Sequence, residues 1–230
     1  MSAFNHPSLH GQIVTIFGGT GFVGRHIIAV LVAAGARVKV ATRHKNSAYL
    51  LRLYGTTGQV VPVSVSYKSE DSVDAAIAGS TMVVNCLGIL QENGKNNLFS
   101  HVHNDIPLWM ARSCTKRHIT RFVHISALGV DHSRSRYAIS KIKGEFGVTS
   151  VYPAATILRP SIIFGPEDSF FNRFAALAKI SPALPLIGGG HTRFQPVYVG
   201  DVAKAVLTAL TNPQTAGHIY ELGGPEVLSF

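Results

Sequence analysis

Residues 12–26, QIVTIFGGTGFVGRH, decide the reading of this chain. The apolar run 12–17 is short and is ended by glycines, which predicts a buried parallel strand. Residues 22–34 have the length and pattern of a helix, with Gly35 as its C-terminal stop. Between the two lie Gly18, Gly21 and Gly24, a G-x-x-G-x-x-G spacing. Alone the spacing says little; directly after a strand and at the opening of a helix it says much more. Glycine permits the tight turn, lets backbone approach a diphosphate, and lets helix and strand pack closely. The amides of the first helical turn then bind phosphate.

Outward from this turn, strand-like and helix-like segments alternate. Strands are expected at 38–43, 59–65, 81–87, 121–126 and 155–160, and helices at 45–54, 69–78, 97–116 and 135–147. Such alternation implies right-handed crossovers and a parallel sheet covered on both faces, a doubly wound α/β fold. The last 70 or so residues differ: a helix at 170–180, a Gly/Pro-rich loop at 181–190, a strand near 193–197, a helix at 201–211 with Asp201 as N-cap, and a strand at 218–222. The final LSF reads as the entry to another helix, so the fold is expected to be C-terminally truncated. We divide the chain into a dinucleotide-binding domain, 1–165, and a small partial substrate-side lobe, 166–230.

The second strand bears on the cofactor. In NAD binders a carboxylate about 20 residues past the glycines accepts from the ribose 2′-OH. Here that place holds Arg43, and no carboxylate occurs between Gly24 and Glu70. A guanidinium there attracts a 2′-phosphate, so NADP(H) is preferred, with NAD(H) left open. Further on, Ser126 ends the fifth strand, and Tyr137 and Lys141 follow at i and i+4 on one helical face. An ammonium beside a phenol favours the phenolate, which is expected to bring Tyr137 toward the working range of a general acid/base, with the Ser126 hydroxyl on a substrate carbonyl.

Composition narrows the classes. The chain has 230 residues, 46% apolar and 14% charged, a globular balance. Its longest nearly uncharged apolar stretch, 27–36, is far short of a bilayer span. The opening MSAFNHPSLH lacks the pattern of a secretory signal. Cys86 and Cys114 read as buried thiols in a reducing compartment. The formal net charge is +9. Between Arg112 and Lys143 there are eight Lys or Arg against the single acid Asp131, a basic face suited to acidic lipid or a partner. It lacks the interleaved aromatics that nucleic acid would want. Eleven histidines include no cluster with metal-ligand spacing, so no metal site is expected.

GGTGFVG (18–24), NCLG (85–88), Ser126, YAISK (137–141) and RPSIIFGPED (159–168) fall in an order that resembles the extended and atypical branches of the short-chain dehydrogenase/reductase superfamily. GPEDSFFNRFAALA (165–178), PLIGGGHTRFQPVYVGDVAKAV (185–206) and YELGGPEVLSF (220–230) are similar to bacterial relatives of the Rossmann-fold accessory subunit of respiratory complex I. The resemblance implies that Gly18, Thr20, Gly21, Phe22, Val23 and Arg43 hold the diphosphate and adenosine. It puts Ser64 and Val65 by the adenine, Leu87 and Gly88 near the ribose, Tyr137 and Lys141 at the nicotinamide ribose, and Pro160 at the nicotinamide. It implies a tightly held, mainly structural NADP(H), complex I subunits as partners, and a cytoplasmic protein peripheral on the cytoplasmic face of the inner membrane. The intact Ser126/Tyr137/Lys141 set supports the alternative: a soluble NAD(P)-dependent reductase, dehydrogenase or epimerase/dehydratase acting on a small carbonyl or sugar substrate. Three departures stand out: Ser126 and Tyr137 are only 11 apart, His103-Asn104-Asp105-Ile106 replaces the usual Asn and Gly of the fourth helix, and the family continues beyond residue 230. Arg193 and Gln195 are placed in a loop toward the substrate side.

Overall fold

A computed structural model describes residues 8–94, 97–168, 172 and 192–229. The first strand, β1 (Ile13–Phe17), is followed by α1 (Phe22–Ala33), β2 (Arg37–Thr42), the short α2 (Lys45–Ala48) continued by a 3-10 turn (Tyr49–Tyr54), and β3 (Val60–Ser64). Then come α3 (Glu70–Ile77), β4 (Met82–Asn85), a π-helical turn (Ser100–Asp105) running into α4 (Ile106–Lys116), β5 (Arg121–Ile125), α5 (Arg136–Val151) and β6 (Thr156–Pro160). The remainder supplies β7 (Ile163–Phe164), β8 (Arg193–Phe194), β9 (Val197–Tyr198), α6 (Val199–Thr211), β10 (Ile219–Leu222) and β11 (Leu228–Ser229).

Seven strands form one parallel sheet in the order β10-β6-β5-β4-β1-β2-β3. The order reverses between β1 and β4, whose register pairs Phe17 with Asn85, so the crevice opens at the C-terminal ends of these two strands. The pleat sorts β1 between two cores. Val14 and Ile16 join Ile28 and Leu31 of α1 and Val206 and Leu210 of α6 on one face. Phe17 joins Met110 of α4, Phe122 and Ile157 on the other.

Local signals explain the boundaries. Gly35, at φ +91°, ends α1 as expected, with the Gly35 and Ala36 amides returned to Val32 and Leu31. Ser69 caps α3 through Ser72 N–H (3.4 Å), and Ser135 caps α5 through Ala138 N–H (3.1 Å).

Two expectations need correction. Asp201 is not an N-cap: α6 begins at Val199, so Asp201 lies inside its first turn, near the positive end, with Lys204 at 3.4 Å. Leu228–Ser229 does not open a helix; it is a strand, antiparallel to β8, with Leu228 opposite Phe194. The helix expected at 170–180 and the loop at 181–190 lie outside the described residues, Asn172 excepted. From the stretch 166–230, α6 packs against α1 and β10 joins the main sheet beside β6.

Candidate functional site

The turn after β1 has no room for a side chain at Gly18 or Gly24. A Cβ on Gly18, already at φ +80°, would lie 2.7 Å from the Cys86 carbonyl oxygen, and one on Gly24 would run into the Gly18 carbonyl. Gly21 is the N-cap of α1; no side chain caps that end and no acid sits in its first turn, so the amide dipoles there are left for a ligand. Thr20 lies within the turn, and Phe22 and Val23 form a wall of the crevice. A cradle this close to backbone fits the diphosphate of a dinucleotide.

Two cavities lie along the strand ends and meet at Leu87, Gly88 and Ile89. The first, about 400 Å3, is lined by Arg43, Val65, Tyr67 and Lys68. Arg43 follows β2 and is exposed. Ser64 ends β3 on the exposed side and does not line the cavity, whereas its neighbour Val65 does. Lys68 and Tyr67 escaped the sequence reading. A lysine one strand over from Arg43 is the available signal, since adjacent parallel strands bring their C-terminal loops together. His101, from the π-helical turn, spans the Tyr67 carbonyl oxygen (2.6 Å) and the Asp105 carboxylate (3.2 Å), and so holds this loop.

The second cavity, about 530 Å3, brings together Ser126, Tyr137, Lys141 and Pro160 with Phe22, Val23, Leu87 and Gly88. Ser126 directly follows β5, its Oγ buried and without a hydrogen-bond partner. A buried hydroxyl left unpaired costs stability, and a bound oxygen would relieve that cost. Lys141 is buried, its Nζ donating to the Ile125 carbonyl oxygen (3.3 Å); a Cβ on Gly88 would lie 3.5 Å from the ammonium. Burial pulls its pKa down to about 8, partly offset by the Glu145 carboxylate.

Here the expected electrostatics fail. Burial pushes the Tyr137 phenol up, not down. The ammonium is turned to a main-chain carbonyl and is itself desolvated, so the i,i+4 spacing does not by itself acidify the phenol. Tyr137 instead sits in an aromatic corner, edge-on to His103 (5.4 Å) and Phe99 (5.9 Å).

His103 is the joint of the site. Ile89 N–H donates to its Nε2 (3.1 Å), which puts the ring proton on Nδ1. Nδ1–H donates to Ser140 Oγ (2.8 Å), and that hydroxyl donates to the Tyr137 carbonyl oxygen (2.6 Å). Burial lowers its pKa to about 3, so the ring stays neutral. The chain of bonds ties the wall shared by both cavities to the helix that carries Tyr137 and Lys141. Beneath Pro160, Arg159 forms a fork with Glu145 (3.0 and 2.9 Å) and reaches Asp131 (2.6 Å), fixing β6 to α5.

The basic stretch is less basic than its sequence. Arg112 pairs with Glu70, Lys116 and Arg117 with Asp74, Arg136 with Glu92, and Lys141 is buried. Cys114 is buried, while Cys86 is half-buried; burial pushes the Cys86 thiol up to about 12, and its Sγ donates to the Phe17 carbonyl oxygen. Gln195 donates to the Gly224 carbonyl oxygen (2.8 Å), and neither it nor Arg193 is among the described residues lining the two cavities. No group of three metal-ligating side chains occurs among the described residues.

Fold and crevice together define a Rossmann-type dinucleotide-binding protein. The chain belongs to the NAD dependent epimerase/dehydratase family, whose sequence model matches residues 14–223. It is 39% identical over 227 residues to the mitochondrial NADH dehydrogenase [ubiquinone] 1 alpha subcomplex subunit 9 of Arabidopsis thaliana, covering 96% of this chain and 56% of that one. It is 28% identical to a ceramide reductase of Caulobacter vibrioides, covering 87% of this chain and 62% of that one. The chain thus spans little more than half the length of these curated relatives. Among solved structures, UDP-glucuronic acid 4-epimerase from Bacillus cereus in complex with NAD superposes with a TM-score of 0.78 at 18% identity, over 94% of this chain and 79% of that one.

Proposed function

We propose that this protein holds NADP(H) across the two cavities and serves as an accessory component of respiratory complex I at the cytoplasmic face of the membrane. Gly18, Thr20, Gly21, Phe22, Val23 and Gly24 take the diphosphate. Arg43 and Lys68, with Val65, receive the phosphorylated adenosine, and Ser64 flanks it from outside. Leu87 and Gly88 border the ribose, Tyr137 and Lys141 the nicotinamide ribose, and Pro160 the nicotinamide. The observation that carries the choice of dinucleotide is the adenosine-side cavity, lined by two cations, Arg43 and Lys68, with no carboxylate among its described residues. The accessory role rests on the similarity to the complex I subunit over 96% of the chain. Native mass spectrometry tests both. A retained dinucleotide with three phosphates and co-purifying complex I subunits are expected; a bare polypeptide sinks the reading.

The unpaired, buried Ser126 hydroxyl beside Tyr137 favours a second reading, retained carbonyl chemistry. The bound dinucleotide would supply or accept hydride. Ser126 would hold the substrate oxygen, Tyr137 would exchange a proton with it, and Lys141 would anchor the ribose. The measurement is a substrate-dependent change at the nicotinamide absorbance band. Tyr137→Phe, measured at saturating dinucleotide, should abolish that change; a change that survives the substitution rules this chemistry out.

A further inference from the structure

Resting on the dinucleotide reading of the crevice, we propose that the cavity at its nicotinamide end receives an uncharged carbonyl or secondary-alcohol compound with a hydrocarbon chain, and not a nucleotide sugar. Polar residues are a minority of the cavity's described lining: Ser126, Tyr137, Lys141, Ser161 and Asp168. Ser126 Oγ is buried without a partner, and Tyr137 lies on the same wall. Three separate segments bring aliphatic side chains to the same cavity: Leu90 after β4, Leu128 after β5, and Ile162 after β6 with Ile163 at the start of β7. Leu90 is 79% exposed, so packing does not explain its place at the rim. A buried, unpartnered hydroxyl within a lining that is mostly apolar matches a ligand with one polar end and an apolar remainder.

The same surface suits a nucleotide sugar badly. Its diphosphate needs a cation with free donors. Among the described lining residues the one cation is Lys141, buried and turned to the Ile125 carbonyl; the other charged residue is the acid Asp168. Arg25 and Arg159 are not among the described lining residues; Arg25 pairs with Glu167 (2.8 Å) through Nη2, and Arg159 with Glu145 and Asp131. Hexose hydroxyls laid against Leu90, Leu128 and Ile162 would lose their water without gaining partners, which opposes binding.

The test uses the whole chain loaded with NADPH and reads the emission of the bound nicotinamide, so it does not depend on turnover. 2-Decanone should shift that emission saturably, and UDP-glucose and dTDP-glucose should not at the same concentrations. Leu90→Arg and Leu128→Arg should each weaken the ketone effect about tenfold or more, with circular dichroism confirming that both variants fold. A saturable shift with either sugar nucleotide below the ketone concentration, or NADPH emission that the ketone leaves unmoved, overturns this proposal alone. Failure of NADPH to bind at all overturns the dinucleotide reading and takes this proposal with it.

Discussion

Lys141 shows how one residue sets function against stability. Its folded pKa of about 8 lies below the ordinary lysine value of 10.5, because burial disfavours the charge. The unfolded chain therefore binds the extra proton between these two values, and stability rises with pH across that window. Below pH 8 the buried ammonium is a net cost of about 3 kcal/mol, at about 1.36 kcal/mol per unit. Lys141→Met should raise the urea midpoint of the dinucleotide-free protein at pH 7 and flatten its rise from pH 8 to 10.5, while weakening NADPH binding. An unchanged midpoint would mean that water reaches Nζ after all. At the other end of the crevice, Arg43→Ala and Lys68→Ala should each lower NADPH affinity roughly tenfold and leave NADH affinity nearly unchanged, measured by calorimetry. Equal losses for both coenzymes would remove the 2′-phosphate assignment from these two cations.

Among the elements, the π-helical turn before α4 is where local sequence and tertiary demand part. The sequence reads as one regular helix from 97, but residues 100–105 are wound wider. The wider turn sends His101 to the Tyr67 loop and His103 to Ile89 and Ser140, so one element grips both cavity walls. It also presses the His103 carbonyl against α5, where a Cβ on Gly144 would collide with it. Since that oxygen is backbone, it cannot swing aside. Gly144→Ala should cost about 2–4 kcal/mol by chemical denaturation, despite the better helix propensity of alanine. A neutral or stabilising result would show that α4 and α5 separate freely.

For the molecule as a whole, the buried histidines govern acid stability. His103 and His124 both have pKa values brought down to about 3 by burial. Their unfolded counterparts protonate below the ordinary histidine value of 6.5, so the stability they contribute falls as pH drops from 6.5 toward 3. At pH 5 the loss is about 2 kcal/mol for each, at a pH where ordinary carboxylates are still mostly ionised. The Asp74 carboxylate, held near pKa 2 by Arg117 and Lys116, adds its own loss only below the usual carboxylate range. Urea midpoints should therefore decline already between pH 6.5 and 5, and His124→Gln should blunt the decline; a flat profile to pH 4.5 would contradict it.

The sequence by itself determined the sheet and the glycine turn. Both rest on short-range rules: runs apolar on both faces, punctuating glycines, and a Cβ that cannot fit beside Cys86 or Gly18. It also put Arg43, Ser126, Tyr137 and Lys141 at the crevice, because where strand order reverses the connections leave to opposite faces of the sheet and open a gap at the strand ends. Only the tertiary structure decided what those residues feel. The spacing of Tyr137 and Lys141 said nothing of burial, and burial reversed the expected direction of the phenol's shift. Lys68, Tyr67, Ile89 and His103 reach the site from loops and a π-helical turn, whose contacts follow from chain packing and leave no periodic trace. The +9 formal charge likewise promised a basic face, yet most of its densest stretch is paired or buried, since ion pairing joins residues some 40 positions apart.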